Sequence, residues 1–497
     1  MTPKRSIIDY LADNALYSPE RIAVFHKERR ITYGELEAAA ARCRGALLAR
    51  GVQPGDRVSL VMSDSPEMII AFLGIMGMGA IAVPCSTLLP PDGLAYVFAD
   101  SGAKLVVASP EHLENAKAAR APNLVPIGEL LEKAEPAPLG EFDRDTPCLI
   151  LYTSGSTGLP KGAVHRHGHM PWTVESVARN VYGLRPDDRL FSVPRLFFAY
   201  GLGNSLSVPL GSGCSTILVS ERPTPTVIAS VFEKHRPTVF FAVPTVFRML
   251  LEHARQGNQL DASSIKFSVS AGEVLPVATW NEWKALTGSE IVETIGTTEL
   301  LHAFIHNYRD RNRPGSSGVV LEGYEVKLTD ENGEVVEGAG RGALHARGGS
   351  AIPYYHNKPE QTAESIRDGW VKTGDVYRRD AEGFYWFEGR SDDLFKCSGL
   401  WVSPGEVEDA VCKHAAVMEA AVIAEADATG ATIPAAYVLL RPDHSAGEML
   451  ERQIMEEAAK TLPRYKRPQR IHFMTELPRT PTGKVQRFKL RQLSRGA

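Results

Sequence analysis

The chain lacks a cysteine pair at the spacing of a zinc or redox motif. Its six cysteines, Cys43, Cys85, Cys148, Cys214, Cys397 and Cys412, are scattered and form no C-x-x-C. They suggest neither a zinc site nor a disulfide framework, so a reducing cytoplasm is the expected setting. An excess of charge is also missing: 55 Lys and Arg against 59 Asp and Glu leave a formal net charge of −4. That balance gives no electrostatic case for binding nucleic acid or an anionic membrane. No apolar core follows the basic start, because Asp9 and Asp13 interrupt it, and a signal peptide is not expected. The end, Ser494-Arg495-Gly496-Ala497, carries no prenylation or peroxisomal signal. Long apolar runs are absent with one exception, the uncharged stretch from Met68 to Cys85. Gly74, Gly77, Gly79 and Pro84 lie inside it, so it reads as a buried helix to about Met78 and then a strand, Ala80–Val83, in preference to a membrane span. No internal repeat is apparent.

At 497 residues and 43% hydrophobic content, the chain is too long for one ordinary core, and two or more domains are expected. Thr32 and Glu35 form a capping-box pattern ahead of Leu36, Ala40, Cys43 and Leu47 at helical spacing, with Gly51 closing the helix. Strands at Val58–Met62, Ala80–Val83 and Lys104–Ala108 alternate with helices, which indicates a parallel sheet covered on both faces. Glu135–Gly140, rich in proline, reads as a linker. The alternation resumes with a helix at Val227–Arg236, a strand at Val239–Val243, a helix opened by Pro244 and a strand at Ile265–Ser270. From about Gly315, short alternating runs such as Tyr324–Leu328 lie between Asn-Gly, Glu-Gly and Asp-Gly turns and indicate antiparallel strands, a small barrel. After Gly389 a new domain begins, and Ser403-Pro404-Gly405-Glu406 supplies a cap, an N1 proline and a reciprocal glutamate. The expected fold is α/β: an N-terminal domain, 1–391, of parallel α/β sheets plus a small antiparallel barrel, and a smaller α+β C-terminal domain, 392–497.

One stretch organises the chain, Tyr152-Thr153-Ser154-Gly155-Ser156-Thr157-Gly158-Leu159-Pro160-Lys161-Gly162. Glycines let the backbone turn sharply and bring N–H groups to a ligand, the hydroxyls add donors, and Lys161 adds a mobile positive charge. That is the composition of a phosphate cradle. It is not the common nucleotide P-loop, since Lys161 precedes Gly162 and Ala163 follows. The alternative, a flexible Gly/Ser linker, fits less well after the apolar strand Cys148–Leu151 and before Pro-Lys-Gly.

Four further segments could carry chemistry, and each has a bland reading beside it. Glu293-Thr294-Ile295-Gly296-Thr297-Thr298-Glu299 offers hydroxyls for phosphate oxygens and a carboxylate for Mg²⁺, or is simply a helix start. Ser270-Ala271-Gly272-Glu273 follows a strand, where open parallel sheets bind ligands, or is a tight turn. Thr373-Gly374-Asp375 and Gly389-Arg390-Ser391-Asp392-Asp393 present an Asp that can accept ribose hydroxyls and an Arg that can donate to them, or are turns. Pro478-Arg479-Thr480-Pro481-Thr482-Gly483-Lys484-Val485 carries a lysine on a Pro/Gly loop, usually a solvated charge.

In this order the segments resemble the adenylate-forming superfamily of acyl- and aryl-CoA ligases, adenylation domains and luciferases, and the resemblance covers essentially the whole chain. It implies that Thr153, Ser154, Gly155, Ser156, Thr157, Gly158 and Lys161 hold the phosphates of ATP. It implies that Thr298 binds the α-phosphate, with Thr297 also among the nucleotide contacts, Glu299 the magnesium, Gly272 and Glu273 the adenine, and Asp375 and Arg390 the ribose. Lys484 would be the catalytic lysine, on a mobile C-terminal domain hinged at Asp392. Its ammonium would offset the meeting of two anions when a carboxylate attacks ATP.

Leu196-Phe197-Phe198-Ala199-Tyr200-Gly201-Leu202-Gly203-Asn204 can shape a flat apolar slot or form a core helix. Together with Thr298-Glu299-Leu300-Leu301-His302 it resembles the benzoate-type aryl-CoA ligases. By that resemblance Phe198, Ala199, Tyr200, Gly201, Gly296, His302 and Ala303 line the ring site, with Lys396 nearby. Ala303 stands where benzoate enzymes tend to have a branched aliphatic residue, leaving room for a substituted ring. The implied activity is ATP-dependent formation of an aryl-AMP and transfer of the aryl group to CoA, with ATP, Mg²⁺ and CoA required. Loading of a carrier protein and a non-catalytic AMP-binding module remain as alternatives. The expected partners are small molecules alone, with a homodimer left open.

Overall fold

The computed structural model describes residues 4–132, 134–153, 159–479 and 485–496. They fall into two compact units, Met1–Lys327 with His345–Thr373, and Leu328–Leu344 with Gly374–Ala497.

The first unit contains two largely parallel sheets. The larger has nine strands in the order Val319–Val320, Ala303–His306, Glu290–Gly296, Phe267–Ser270, Val239–Ala242, Arg189–Ser192, Ser215–Leu218, Ile22–His26 and Arg29–Thr32. Its interior is parallel, and antiparallel pairs flank it at both edges. Strands such as Val239–Ala242 are buried at every residue, which is why they read as apolar runs without alternation. The second sheet has six strands, Leu124–Pro126, Ala103–Ala108, Arg57–Val61, Ile81–Pro84, Pro147–Thr153 and Lys161–Arg166. Only the last pair is antiparallel. The uncharged run is the buried helix Pro66–Met76 followed by the strand Ile81–Pro84. Among the described residues no helix is long and apolar enough to cross a membrane.

The turn-rich region after Gly315 forms a five-stranded antiparallel sheet. Its order is Tyr324–Thr329, Gly340–Gly348, Trp370–Arg379 and Ile366–Arg367, with Tyr385–Arg390 also on Trp370–Arg379. This half-barrel sheet is the antiparallel element expected as a small barrel. The second unit holds a three-stranded sheet, Val417–Ala426, Thr432–Leu440 and Arg470–Met474. Val402, Val407, Val411, Val422, Val438 and Ile454 fill the core beside it.

Two local expectations are corrected. The capping box at Thr32 is made in both directions, with Glu35 N–H donating to Thr32 Oγ1 at 3.2 Å and Thr32 N–H to Glu35 Oε2 at 2.8 Å. Ser403 does occupy an N-cap ahead of Pro404, but its side chain makes no capping bond. Glu406 is instead taken by an ion pair with Lys466. The stretch read as a linker is strapped onto the helix Tyr33–Ala49. Ala137 N–H donates to Ala41 O at 2.9 Å, and a side chain at Gly45 would overlap the carbonyl of Glu135.

Gly45→Ala therefore sets helix propensity against a close contact. Propensity alone favours alanine by about 1 kcal/mol, whereas forcing the strap outward costs about 1–3 kcal/mol. Urea unfolding should show a net loss of stability; a variant as stable as the parent would contradict the strap.

Candidate active site

The cradle is entered and left by paired strands. Thr153 and Lys161 are register partners. Ser154, Gly155, Ser156, Thr157 and Gly158 lie outside the described residues. The flanks are tied to a neighbouring helix, with Tyr152 Oη donating to Asp100 Oδ2 at 2.7 Å and Tyr96 Oη to Pro160 O at 3.0 Å. Lys161 Nζ sits 4.5 Å above the ring of Tyr355.

The second motif is a turn between antiparallel strands. Glu290–Gly296 leads into a single 3₁₀ turn, Thr298–Leu300, and Ala303–His306 returns. Gly296 is pressed against the carbonyl of His302, where a Cβ would come within 2.5 Å. Leu301 takes φ +65°, a left-handed conformation that non-glycine residues rarely adopt. Several bonds hold the turn. Ile352 N–H donates to Glu299 O at 2.9 Å, Ser350 Oγ to Leu300 O at 2.8 Å, and His165 Nε2 lies 2.9 Å from Thr298 O. A carbonyl only accepts, so His165 carries its proton on Nε2. Its Nδ1 then accepts from His169 Nδ1 at 3.0 Å. Thr297 Oγ1 is buried with no hydrogen-bond partner, an uncommitted donor suited to a phosphate oxygen. Tyr355 Oη donates to Glu299 Oε1 at 2.6 Å. Among the described residues no cluster of three or more His, Cys, Asp or Glu is placed to hold a metal. One carboxylate is nevertheless a fitting protein contribution for Mg²⁺, which usually takes its remaining ligands from phosphates and water.

The aromatic segment meets this turn. Phe198 precedes a helical turn, Ala199–Leu202, which widens into a π-helical stretch, Gly203–Ser207. Gly203 lies so close to the imidazole of His302 that any side chain there would overlap it. His302 Nε2 is 3.0 Å from Asn204 Oδ1, and the rings of Tyr200 and His302 are 6.1 Å apart. Tyr200 Oη donates to Val269 O at 3.1 Å, and Ala303 is buried. Thus Tyr200, Asn204, His302 and Ala303 are brought onto one side of the Gly296–Glu299 turn. Phe198 packs its ring against Phe197, with 4.6 Å between centroids. Gly201 lies against the carbonyl of Arg195.

Gly272 follows the strand Phe267–Ser270 with φ +88°, and Glu273 is exposed with Oε2 accepting from Thr245 Oγ1 at 3.4 Å. Glu293, the first residue of the Thr-Thr-Glu motif, was given no role of its own. Glu293 is buried beside Ser270 in the sheet, with Oε1 accepting from Leu275 N–H at 3.4 Å and Oε2 from Gly315 N–H at 2.7 Å. Burial pushes its carboxyl up to about 8. The one hint in the sequence was a carboxylate inside an otherwise apolar strand. Tyr355, His165 and His169 were also missed, and no short motif marks them.

In the second unit, Asp375 and Arg390 are register partners, and Arg390 Nη1 donates to Asp375 Oδ1 at 2.8 Å. Ser391 N–H donates to Gly374 O at 2.9 Å, so both predicted ribose motifs form one patch. Asp392 is exposed in the following turn, its carbonyl 3.3 Å from Arg491 Nη2. Lys396 pairs with Glu331 at 3.3 Å and stacks over Trp401 at 4.6 Å. Lys484 lies outside the described residues; the residues flanking that segment, Arg479 and Val485, form an antiparallel bridge. Arg487, not singled out before, bonds both oxygens of Glu408, at 2.7 and 2.9 Å.

The comparisons with known proteins identify the class of enzyme. The AMP-binding enzyme family matches residues 11–356, and the AMP-binding enzyme C-terminal domain matches residues 406–484; the chain belongs to this family. Over 476 residues it is 38% identical to the benzoate–CoA ligase of Thauera aromatica, covering 93% of this chain and 90% of that one. It is 36% identical to the 4-hydroxybenzoate–CoA/benzoate–CoA ligase of Rhodopseudomonas palustris, over 96% and 91% of the two chains. Among solved structures, the anthranilate CoA ligase AuaEII in complex with anthranoyl-AMP superposes with a TM-score of 0.94 at 36% identity, covering 99% of this chain and 98% of that one.

The buried histidines give a pH prediction. Burial holds His165 and His302 down to about 3, His167 and His306 to about 4, and His169 to about 2. Unfolded histidine takes up its proton near 6.5, so below that pH the unfolded chain binds more protons and stability rises with pH. Glu293, raised from 4.5 to about 8, and Asp64, raised from 3.8 to about 6, act in the opposite sense but are two groups against five. The urea midpoint should climb from pH 5 to pH 7; a flat or falling midpoint would contradict neutral, buried imidazoles.

Proposed function

We propose that the chain is an ATP-dependent aryl-CoA ligase. It activates a benzoate-like carboxylate as aryl-AMP and passes the aryl group to the thiol of CoA. The observation that carries this reading is the likeness along 93% of the chain to an enzyme named for the reaction. The setting of Tyr200 and His302 beside the Thr-Thr-Glu turn supports an aromatic acid in particular.

In the first step a carboxylate oxygen attacks the α-phosphorus of ATP and pyrophosphate leaves. In the second, the thiol sulfur attacks the activated carbonyl carbon and AMP leaves. The first step brings two anions together, so the protein must supply positive charge and donors where charge develops. In this reading Lys161 and the cradle from Thr153 to Gly158 hold the phosphates, Thr297 and Thr298 donate to the α-phosphate, and Lys484 offsets the developing charge. Glu299 would hold Mg²⁺, which when bound neutralises the phosphate oxygens. Gly272 and Glu273 would flank the adenine, and Asp375 and Arg390 would take the ribose.

For the acid, Phe198, Ala199, Tyr200, Gly201, Gly296, His302 and Ala303 would line the ring slot, with Lys396 contributing near it. A neutral His302 suits this role. An imidazolium there would trap the carboxylate by charge and hold it back from the phosphorus. The small Ala303 leaves room for ring substituents. The reading divides the chain at Asp392, with 1–391 binding nucleotide and acid and 392–497 turning between the two steps. It also takes the enzyme to be cytoplasmic; sedimentation decides between a monomer and a homodimer.

A panel of substituted benzoates, assayed for AMP release with CoA, with a carrier protein and with neither, tests the reading. Release should depend on the aryl acid and CoA; preference for a carrier protein would replace CoA as the acceptor. Lys484→Ala should abolish adenylation yet retain thioester formation from supplied aryl-AMP. Equal loss of both steps would contradict the role given to Lys484.

A further inference from the structure

Two of the groups just assigned, Lys161 and Glu299, are joined by a single side chain. Tyr355 lies in a segment that docks on the strand Lys161–Arg166. It bridges to Ala163, the next residue's N–H donates to Gly162 O at 2.8 Å, and its own N–H donates to Thr362 Oγ1 at 3.0 Å. The residue is buried against Ala163 and Ile352. Its backbone is therefore held, and two contacts of the side chain bear on the site. The ring face carries Lys161 Nζ at 4.5 Å, and the hydroxyl donates to Glu299 Oε1 at 2.6 Å.

Each contact has a directional consequence. A cation over an aromatic face is held without being neutralised, so Lys161 keeps its charge for a phosphate. A hydroxyl that donates to one carboxylate oxygen fixes the rotation of the whole carboxylate. Glu299 Oε2, which has no partner among the described residues, is then presented in one direction.

We propose that Tyr355 is a positioning residue that sets the phosphate-loop lysine and the metal-facing carboxylate together, and so couples magnesium to nucleotide binding. This rests on the reading of Glu299 and Lys161 given above. Outer partners of metal ligands typically change metal affinity by about 10–100-fold when removed. Tyr355→Phe removes only the hydroxyl and leaves the ring beneath Lys161.

The test is calorimetric titration of ATP across a range of Mg²⁺ concentrations, with AMP titrated in the absence of metal as the reference. Folding is checked by the thermal unfolding midpoint. Tyr355→Phe should raise the Mg²⁺ concentration needed for half-maximal tightening of ATP by about tenfold and leave metal-free AMP binding unchanged. Tyr355→Leu, which also removes the ring, should weaken metal-free binding as well. Tyr355→His, with a ring and an N–H, provides a second variant and should fall between parent and Phe. In a Glu299→Gln background, Tyr355→Phe should add nothing. If Glu299→Gln shifts the magnesium dependence but Tyr355→Phe and Tyr355→His do not, the proposal is overturned while the role of Glu299 stands. If Glu299→Gln itself shifts nothing, it is the assignment of Glu299 that fails, and this inference falls with it.

Discussion

No side chain fits between Gly296 and the carbonyl of His302, where an added Cβ would come within 2.5 Å. That contact lets the strand Glu290–Gly296 turn back at once into Ala303–His306. The intervening residues are left for one 3₁₀ turn, with Leu301 at positive φ absorbing the reversal. Thr297, Thr298 and Glu299 are consequently displayed at the end of a parallel sheet, the edge at which open α/β sheets bind ligands. The same contact seats His302 against Gly203 and Tyr200. A single steric constraint thus sets the Thr297–Glu299 turn and the Tyr200–His302 contact together.

The surroundings of the turn are buried and hydrogen-bonded. His165 and His169 are buried, neutral and mutually bonded, and they lock the carbonyl of Thr298. Glu293, buried with two backbone N–H donors, ties the loop after Gly272 to Gly315. Such groups contribute little as charges. Fully bonded inside the protein, they hold backbone that would otherwise be free to move.

How much of this could be read in advance depended on range. The cradle flanks were legible because an apolar strand, glycines and a lysine are adjacent in sequence. The parallel sheets were legible because strands buried on both faces become unbroken apolar runs. The capping box at Thr32 was legible from a three-residue spacing, yet the same kind of pattern at Ser403 misled, because Lys466 competes for Glu406. Tyr355 could not be seen: it reaches Glu299 from 56 residues away, and nothing local to it marks the contact. The proline-rich segment at Glu135–Gly140 read as a linker since composition does not reveal that Gly45 offers it a seat. Local chemistry was written in short motifs, and the contacts that orient it were written only in the fold.

The central claim is that this chain uses an aromatic carboxylate to attack ATP before any thiol is involved. Exchange of labelled pyrophosphate into ATP, with benzoate or a ring-substituted benzoate present and CoA absent, addresses it most directly. The account predicts exchange that depends on the aromatic acid and on Mg²⁺. Exchange that needs CoA, or none with any aromatic acid, would contradict it.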